Sequence, residues 1–293
     1  MKIKKPGSFD GLFVFIVYFV AIVAIVITLY PFLYIVAVSF SESRAVYRGE
    51  VFIFPKGFTL SGYREVFRQN GLWTAYGNTL FYTFFGTLAN IVSTCIAAYP
   101  LSRKQFFARR FLNFFIAFTM YFSGGLIPTY LLINSLGLYN TRLVLIIPAL
   151  LSTYNVMVCR SAYAAIPDEL PESAYIDGAN EWQVFHRIAV RLITPTIAVL
   201  TLFYAVSHWN NYMGPLLYLS DRKLIPIQVL LRRVLIQASN ELMGAQVSTA
   251  DKAVVALSIR YVTIVVATLP ILAIYPFVQK YFVKGVMLGA VKG

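Results

Sequence analysis

Six long stretches of this chain carry no Asp, Glu, Lys or Arg: Gly11 to Phe40, Gly71 to Ser102, Phe111 to Thr141, Leu143 to Cys159, Leu192 to Ser220 and Tyr261 to Gln279. A bilayer-spanning helix needs about 20 mainly apolar residues, with a range of roughly 17 to 25. Each run is therefore expected to supply one span, which predicts an all-α integral membrane protein with six transmembrane helices. Leu143 to Cys159 is only just long enough. Gly124-Gly125 with Pro128 predicts a kink or break inside the third run. Lys2, Lys4 and Lys5 before the first run imitate a signal peptide. That run far exceeds the roughly 7 to 15 apolar residues of a signal core, so it reads as an uncleaved first helix.

Between the fourth and fifth runs lies a polar interruption, Ile166 to Pro195. It holds Asp168, Glu169, Glu172, Asp177 and Glu181, five of the twelve acidic residues in the chain. Pro167 followed by Asp168 and Glu169 predicts a helix start, since proline fits a first turn and carboxylates complement its positive end. Gly178 can take the left-handed conformation that ends such a helix. A second helix is expected over Glu181 to Val190, with Trp182, Phe185 and Ile188 along one face. Two short helices joined at a glycine, on a membrane surface, form an expected docking element for something soluble.

Charge sets the orientation. Dense basic segments sit before the first run, at Arg103, Lys104, Arg109 and Arg110, at Arg160, Arg187 and Arg191, and at Lys280, Lys284 and Lys292. Six spans put all four on one side, and the positive-inside rule makes that side cytoplasmic, with both termini inside. The other side has nearly as many basic residues, but mostly in the long segments Ser41 to Asn70 and Asp221 to Arg260, where the rule weakens. The net charge of +13 is dispersed around apolar spans, which favours anionic lipid and an anionic solute over nucleic acid as partners. Cys95 and Cys159 both fall in apolar runs and read as buried free thiols. No metal-ligand spacing is present.

What is missing narrows the function further. The six runs hold no ionisable carboxylate, lysine or arginine, whereas ion-coupled carriers usually keep such groups in mid-membrane. No lysine precedes Ser or Thr, so the GxxxxGK[ST] phosphate loop is absent. Active transport would then draw its energy from a partner, and the acidic loop is where that partner would dock.

Glu172-Ser173-Ala174, Asp177-Gly178-Ala179 and Ile188 resemble the EAA loop of binding-protein-dependent ABC importer permeases: E-A-A, three residues, G, nine residues, I-x-L-P. Ser173 replaces an alanine, and Val190-Arg191 stands where Leu-Pro is usual. Phe54-Pro55, Phe58-Thr59-Leu60, Tyr63, Asn78-Thr79, Ala97-Ala98-Tyr99 and Ile127-Pro128 are similar to the carbohydrate-uptake branch. So are Tyr275-Pro276-Phe277, Gln279 to Phe282 and Gly285 to Gly293. The chain is identified by these motifs as maltose-importer-like. It resembles the second permease of complex-oligosaccharide importers, a subgroup that includes alginate uptake.

The resemblance implies a type I importer permease fold with a cytoplasmic coupling helix. It implies an N-terminal span and external segment over 1–70, a core over 71–283 with the EAA loop at 166–191, and a cytoplasmic tail over 284–293. The implied partners are a second homologous permease in a heterodimer, two ATPase subunits and an extracytoplasmic solute-binding protein, in the cytoplasmic membrane of a bacterium. This chain would bind no cofactor and catalyse nothing; ATP and Mg would belong to the ATPases. Glu172, Ser173, Ala174, Asp177, Gly178 and Ala179 would couple to the ATPase, with Glu172 in polar contact and the alanines keeping the surface small. The implied cargo is an oligosaccharide, an acidic one such as an alginate fragment being favoured.

The polar-aromatic cluster His208, Trp209, Asn210, Asn211 and Tyr212, with Tyr130, supplies candidate sugar contacts, since aromatic faces and amides suit carbohydrate. An interfacial aromatic belt would have the same composition. Two other classes compete with the importer reading. A secondary carrier is opposed by the absence of intramembrane charge. A membrane glycosyl- or prenyl-transferase would need a second acidic cluster that the chain lacks.

Overall fold

The computed structural model describes residues 8–69, 71–243 and 256–273, and these form helices and turns with no strand among them. The basic residues Lys2, Lys4, Lys5, Lys280, Lys284 and Lys292, and the motifs from Tyr275 to Gly293, lie outside the described residues. In chain order the helices are α1 (Ser8–Ser39), α2 (Ser43–Tyr47), α3 (Ser61–Arg68), α4 (Leu72–Ser102), α5 (Arg109–Phe118), α6 (Leu126–Ser135), α7 (Thr153–Ala164) and α8 (Glu169–Ile176). They continue with α9 (Glu181–Leu192), α10 (Thr194–Asn210), α11 (Met213–Tyr218), α12 (Ile227–Met243) and α13 (Ala256–Ala273).

The chain divides into two compact units. The first combines Met1–Gln69 with Leu231–Leu269. In it, α1 is apolar on every side, with side chains exposed from Leu12 through Leu33. A helix that is apolar all round is stable against lipid or another protein, not water. Its last turns are the part that packs. Ala37 and Val38 are buried with Val46 and Val51, and Tyr34 meets the Tyr261 ring edge-on at 6.0 Å. Two hydroxyl contacts fasten this cluster, Ser39 Oγ to Tyr63 OH at 2.9 Å and Ser258 Oγ to Ser43 Oγ at 2.7 Å.

The second unit, Asn70–Leu230 with Pro270–Gly293, is organised by α4. Its buried positions recur at helical spacing: Ala75, Asn78, Thr79, Tyr82, Gly86, Asn90, Thr94, Cys95, Ala98 and Tyr99. Small residues on that face let α7 and α10 approach closely. In a bilayer, where lipid is as apolar as leucine, close packing and interhelical hydrogen bonds hold helices together. Cys95 and Cys159 are buried free thiols within the same apolar cluster as Leu200 and Val156.

Not every apolar run forms the helix expected of it. The third run breaks as Gly124-Gly125 predicts: α5 and α6 are separate, and Gly125 has φ +83°. The fourth expectation needs correction, because Leu143 to Cys159 is not one helix. A short 3-10 turn covers Arg142–Leu145, and α7 begins only at Thr153. Pro148 explains the gap, as it lacks an amide and disfavours helix in the residue before it. Ser152 then caps α7 by accepting from the Asn155 amide. The fifth run is divided between α10 (Thr194–Asn210) and the short α11 (Met213–Tyr218), and α9 and α10 meet at an angle of 79°. Among the described residues, α1, α4 and α13 are long and apolar enough to cross a membrane, and α9 with α10 makes a fourth if the bent pair is one span.

Candidate functional site

The acidic loop folds much as its sequence dictates. α8 begins after Asp168 and has Glu169 and Glu172 in its first turn, where carboxylates offset the helix dipole. It ends on Gly178 at φ +81°. The Gly178 amide donates to the Tyr175 carbonyl (3.0 Å) and the Ala179 amide to the Ala174 carbonyl (2.9 Å). This pair of bonds is the Schellman arrangement, which needs a left-handed residue at this place. Asn180 and Gln183 then form a reciprocal capping box that starts α9.

α8 presents a mixed surface. Glu169, Leu170, Glu172, Ser173, Ile176 and Asp177 are exposed, and Ile176 is 88 % accessible. A bare isoleucine on a short helix that also exposes carboxylates suits a protein contact better than water. Pro171 and Ala174 face inward and are buried. Ala174 therefore packs the helix onto its own chain, while Ala179 is half-buried.

The face expected on α9 also changes. Val184, Phe185 and Ala189 are buried, Ile188 is half-buried, and Trp182 is 63 % exposed. Trp182 stands in the regular first turn, and beyond it a π-helical stretch, Val184–Ala189, has a wider turn that rotates Ile188 and the side chains after it relative to a regular α-helix.

Behind α8 runs a hydrogen-bonded chain that sequence reasoning did not find. Arg103 Nη2 donates to Tyr99 OH at 2.9 Å, and Tyr99 OH donates to Glu181 Oε2 at 3.3 Å. Tyr175 OH donates to Glu181 Oε1 at 2.8 Å. Arg103 also lies over the Tyr99 ring, 4.7 Å from its centroid. Burial, then the bond to the Glu181 carboxylate, pushes the Tyr175 phenol well above its usual range, so it keeps the proton it donates. Nearby, Lys104 Nζ pairs with Asp168 Oδ2 at 2.9 Å. That hydrogen bond and charge hold the Asp168 carboxyl below its ordinary range. A cleft of about 730 Å³ opens here, lined by Tyr99, Arg103, Phe106, Glu172, Tyr175 and Trp182 among others.

The candidate sugar contacts do not share one surface. His208 and Trp209 are buried, Asn211 is half-buried, and Asn210 and Tyr212 are exposed. His208 Nε2 lies 2.6 Å from Asn90 Oδ1, and Asn90 Nδ2 donates on to the Leu150 carbonyl at 2.9 Å. Four residues along α4, Thr94 Oγ1 meets Tyr204 OH at 2.7 Å, and that hydroxyl accepts from the Ser152 amide. Gly86 makes room for this belt: a Cβ there would sit 2.5 Å from His208 Nε2. His208 is thus a strut between α4 and α10. Asn211 Oδ1 accepts from the Gly214 amide and shapes the turn before α11. Tyr130 stacks near Tyr218, ring centroids 6.1 Å apart, and meets Tyr139 edge-on. The signal for the belt was in the sequence as Asn90 and Thr94, polar residues at helical spacing in an apolar run.

A second set of polar residues on α4 pins the segment before α12. Asn78 Nδ2 donates to the carbonyls of Lys223 and Ile225, Tyr82 OH donates to that of Leu224, and Thr79 Oγ1 accepts from the Ile227 amide.

Comparison with known proteins matches this architecture throughout. The model of the family described as "Binding-protein-dependent transport system inner membrane component" matches residues 71–288. Protein LplC of Bacillus subtilis is 43 % identical over 268 residues, covering 91 % of this chain and 90 % of that protein. The polygalacturonan/rhamnogalacturonan transport system permease protein YtcP, also of Bacillus subtilis, is 38 % identical over 289 residues, covering 97 % and 99 %. A crystal structure of a bacterial ABC transporter involved in the import of the acidic polysaccharide alginate superposes with a TM-score of 0.88 at 31 % identity. That similarity covers 96 % of this chain and 100 % of the matched one. An all-helical fold with a glycine-hinged acidic loop, in this family, defines a membrane permease subunit of an ABC transporter. The chain belongs to the binding-protein-dependent transport system inner membrane components. It is a multi-pass inner-membrane protein and a non-catalytic subunit, ATP hydrolysis being the work of partner ATPases.

Proposed function

We propose that this chain is one of two homologous permease subunits in an ATP-driven importer, and that its cargo is an acidic oligosaccharide handed over by an extracytoplasmic binding protein. The observation that carries this reading is the agreement between the family and the names of its relatives, one a polygalacturonan/rhamnogalacturonan permease and another part of an alginate importer. Both names denote uronate-bearing polymers. The external segments of this chain suit such a cargo, with twelve Lys and Arg against Glu42, Glu50, Glu65, Asp221, Glu241 and Asp251. A net positive field raises the local concentration of an anionic chain.

In this reading the membrane is crossed six times: by α1, α4, the broken pair α5 and α6, α7 together with the segment from Arg142 that leads into it, α10 and α13, with both termini inside. α5 and α6 are ten residues each, about 15 Å at 1.5 Å per residue, so neither crosses a ~30 Å core alone. α8 is the coupling helix. Its exposed Glu172, Ser173 and Asp177 meet the ATPase beside Ile176, while Gly178 and Ala179 form the turn behind them. Closure of the ATPase dimer around ATP then moves the spans and exposes the sugar path to alternate sides. Asn210, Tyr212 and Tyr130 are the sugar contacts of the proposed cluster, with His208, Trp209 and Asn211 shaping the wall that carries them. ATP and Mg are held by the ATPases, and this chain supplies no group to them.

The test is ATP hydrolysis by the assembled complex with its binding protein, across uronate and neutral oligosaccharides. Uronate oligomers are expected to stimulate hydrolysis. Stimulation by neutral oligosaccharides alone would remove the acidic preference.

A further inference from the structure

Three kinds of contact join α8 to the rest of its unit, and they differ in what they can transmit. Pro171 and Ala174 press an apolar face inward, a contact that can slide because it has no direction. Lys104 and Asp168 form an ion pair whose side chains are both well exposed, the kind that contributes little. Glu181 is different. Each of its two carboxylate oxygens accepts a hydrogen bond from a tyrosine on a different element: Tyr175 on α8 and Tyr99 on α4.

Bonds to a carboxylate are directional and stronger than neutral ones; of the two, the Tyr175 bond at 2.8 Å is the tighter and the Tyr99 bond at 3.3 Å the longer. Tyr99 is anchored in turn. It is buried against the rings of Tyr163 and Phe185, and Arg103 donates to its hydroxyl while covering its ring. The Asn180–Gln183 capping box fixes the backbone on which Glu181 stands, one residue into α9. The carboxylate therefore sits where α4, α8 and α9 meet. A displacement of α8 that stretches the Tyr175 bond pulls, through Glu181 and Tyr99, on the end of α4. The Asn90–His208 and Thr94–Tyr204 contacts carry that pull to α10.

We propose that Glu181 is a positioning residue of the transport cycle, tying the docking helix to α4 through Tyr175 and Tyr99. The inference rests on the reading of α8 as the ATPase dock. Glu181 also supplies negative charge to the first turn of α9, so its own substitution would disturb that helix as well. Tyr175→Phe does not have this drawback: it deletes one hydroxyl and leaves packing and charge in place.

The experiment uses the full importer in proteoliposomes, and its readout needs no sugar. Asn210, exposed at the end of α10, is replaced by cysteine and labelled with a membrane-impermeant maleimide, with and without ATP and vanadate. Trapping the ATPase closed is expected to change the labelling rate about threefold or more when Tyr175 and Glu181 are native. In Tyr175→Phe and in Glu181→Ala that response should shrink at least about threefold, the low end of what one net hydrogen bond contributes, while the ATPase stays bound and hydrolyses ATP. The double variant should be no worse than Glu181→Ala alone. A native response in Tyr175→Phe overturns the proposal, as does a response lost only together with the ATPase. Failure of the docking reading looks different. It would appear as Glu172→Ala with full ATPase retention and a native labelling response, whatever the Glu181 variants do.

Discussion

Two polar regions flank the same helix, and they use similar residues to opposite ends. Midway along α4, Asn90, Thr94, His208 and Tyr204 pair with one another and with backbone carbonyls and amides. They are buried and satisfied within the chain. Beyond the end of α4, Glu169, Glu172, Ser173 and Asp177 stand exposed on α8. The first region turns its polar groups inward because hydrocarbon offers an unpaired donor or acceptor nothing. The second turns them outward, with an exposed isoleucine among them, and in the proposed function that face meets another protein. Residue type does not separate an internal strut from an external contact. The partner each group already has does.

Glu172→Ala should have the largest effect: truncating a charged group at a buried contact can cost about 2 to 5 kcal/mol, read as loss of ATPase on co-purification. Gly178→Val should act in the same assay by straining a backbone at φ +81°. Neither should change the thermal unfolding of the isolated permease as much as it changes assembly.

Gly86→Leu should do the reverse. Its added side chain meets an imidazole held in place by Asn90, and overpacking of this kind costs about 1 to 3 kcal/mol. A lower unfolding temperature in detergent is the expected result. His208→Ala should lower stability by less, about 0.6 to 1.7 kcal/mol, the range of interhelical hydrogen bonds in membranes. Asn210→Ala should leave unfolding unchanged and reduce uptake.

Lys104→Ala should be the mildest, since its pair with Asp168 is exposed. The Asp168 carboxyl is held below its ordinary range in the folded protein. The contribution of the pair is therefore present above the ordinary carboxylate range and is lost as pH falls through the depressed value. The small difference between Lys104→Ala and wild type should fade in acid and persist at neutral pH. A difference that grows in acid would contradict the pairing.

The parts of the fold that were legible in the sequence are those fixed by local rules. The start of α8 at Asp168, its end on Gly178 and the break at Gly124-Gly125 each follow from the backbone preferences of one or two residues. The helix limits around Pro148 obey a local rule as well, but an unbroken apolar run hid it. What the sequence concealed depends on contacts distant along the chain. His208 read as a sugar contact because its strut, Asn90, lies 118 positions away. Glu181 counted only as one acidic residue of five, since nothing local reveals that two tyrosines from different helices converge on it. The π-helical stretch, which begins only at Val184, moves Ile188 off the face that a regular α-helix would share with Phe185. The tail motifs and the basic termini lie outside the described residues.

Every role proposed for α8 depends on the ATPase docking on its exposed face, on the cytoplasmic side of the membrane. A single cysteine at Ser173, on that face, tests it directly with a short bifunctional cross-linker in inside-out membrane vesicles and an impermeant maleimide on whole cells. The expected result is a cross-link to the ATPase subunit in the vesicles and no labelling from outside. Labelling of that cysteine in intact cells, or vesicles in which the assembled ATPase never cross-links to it, would rule out docking on this face.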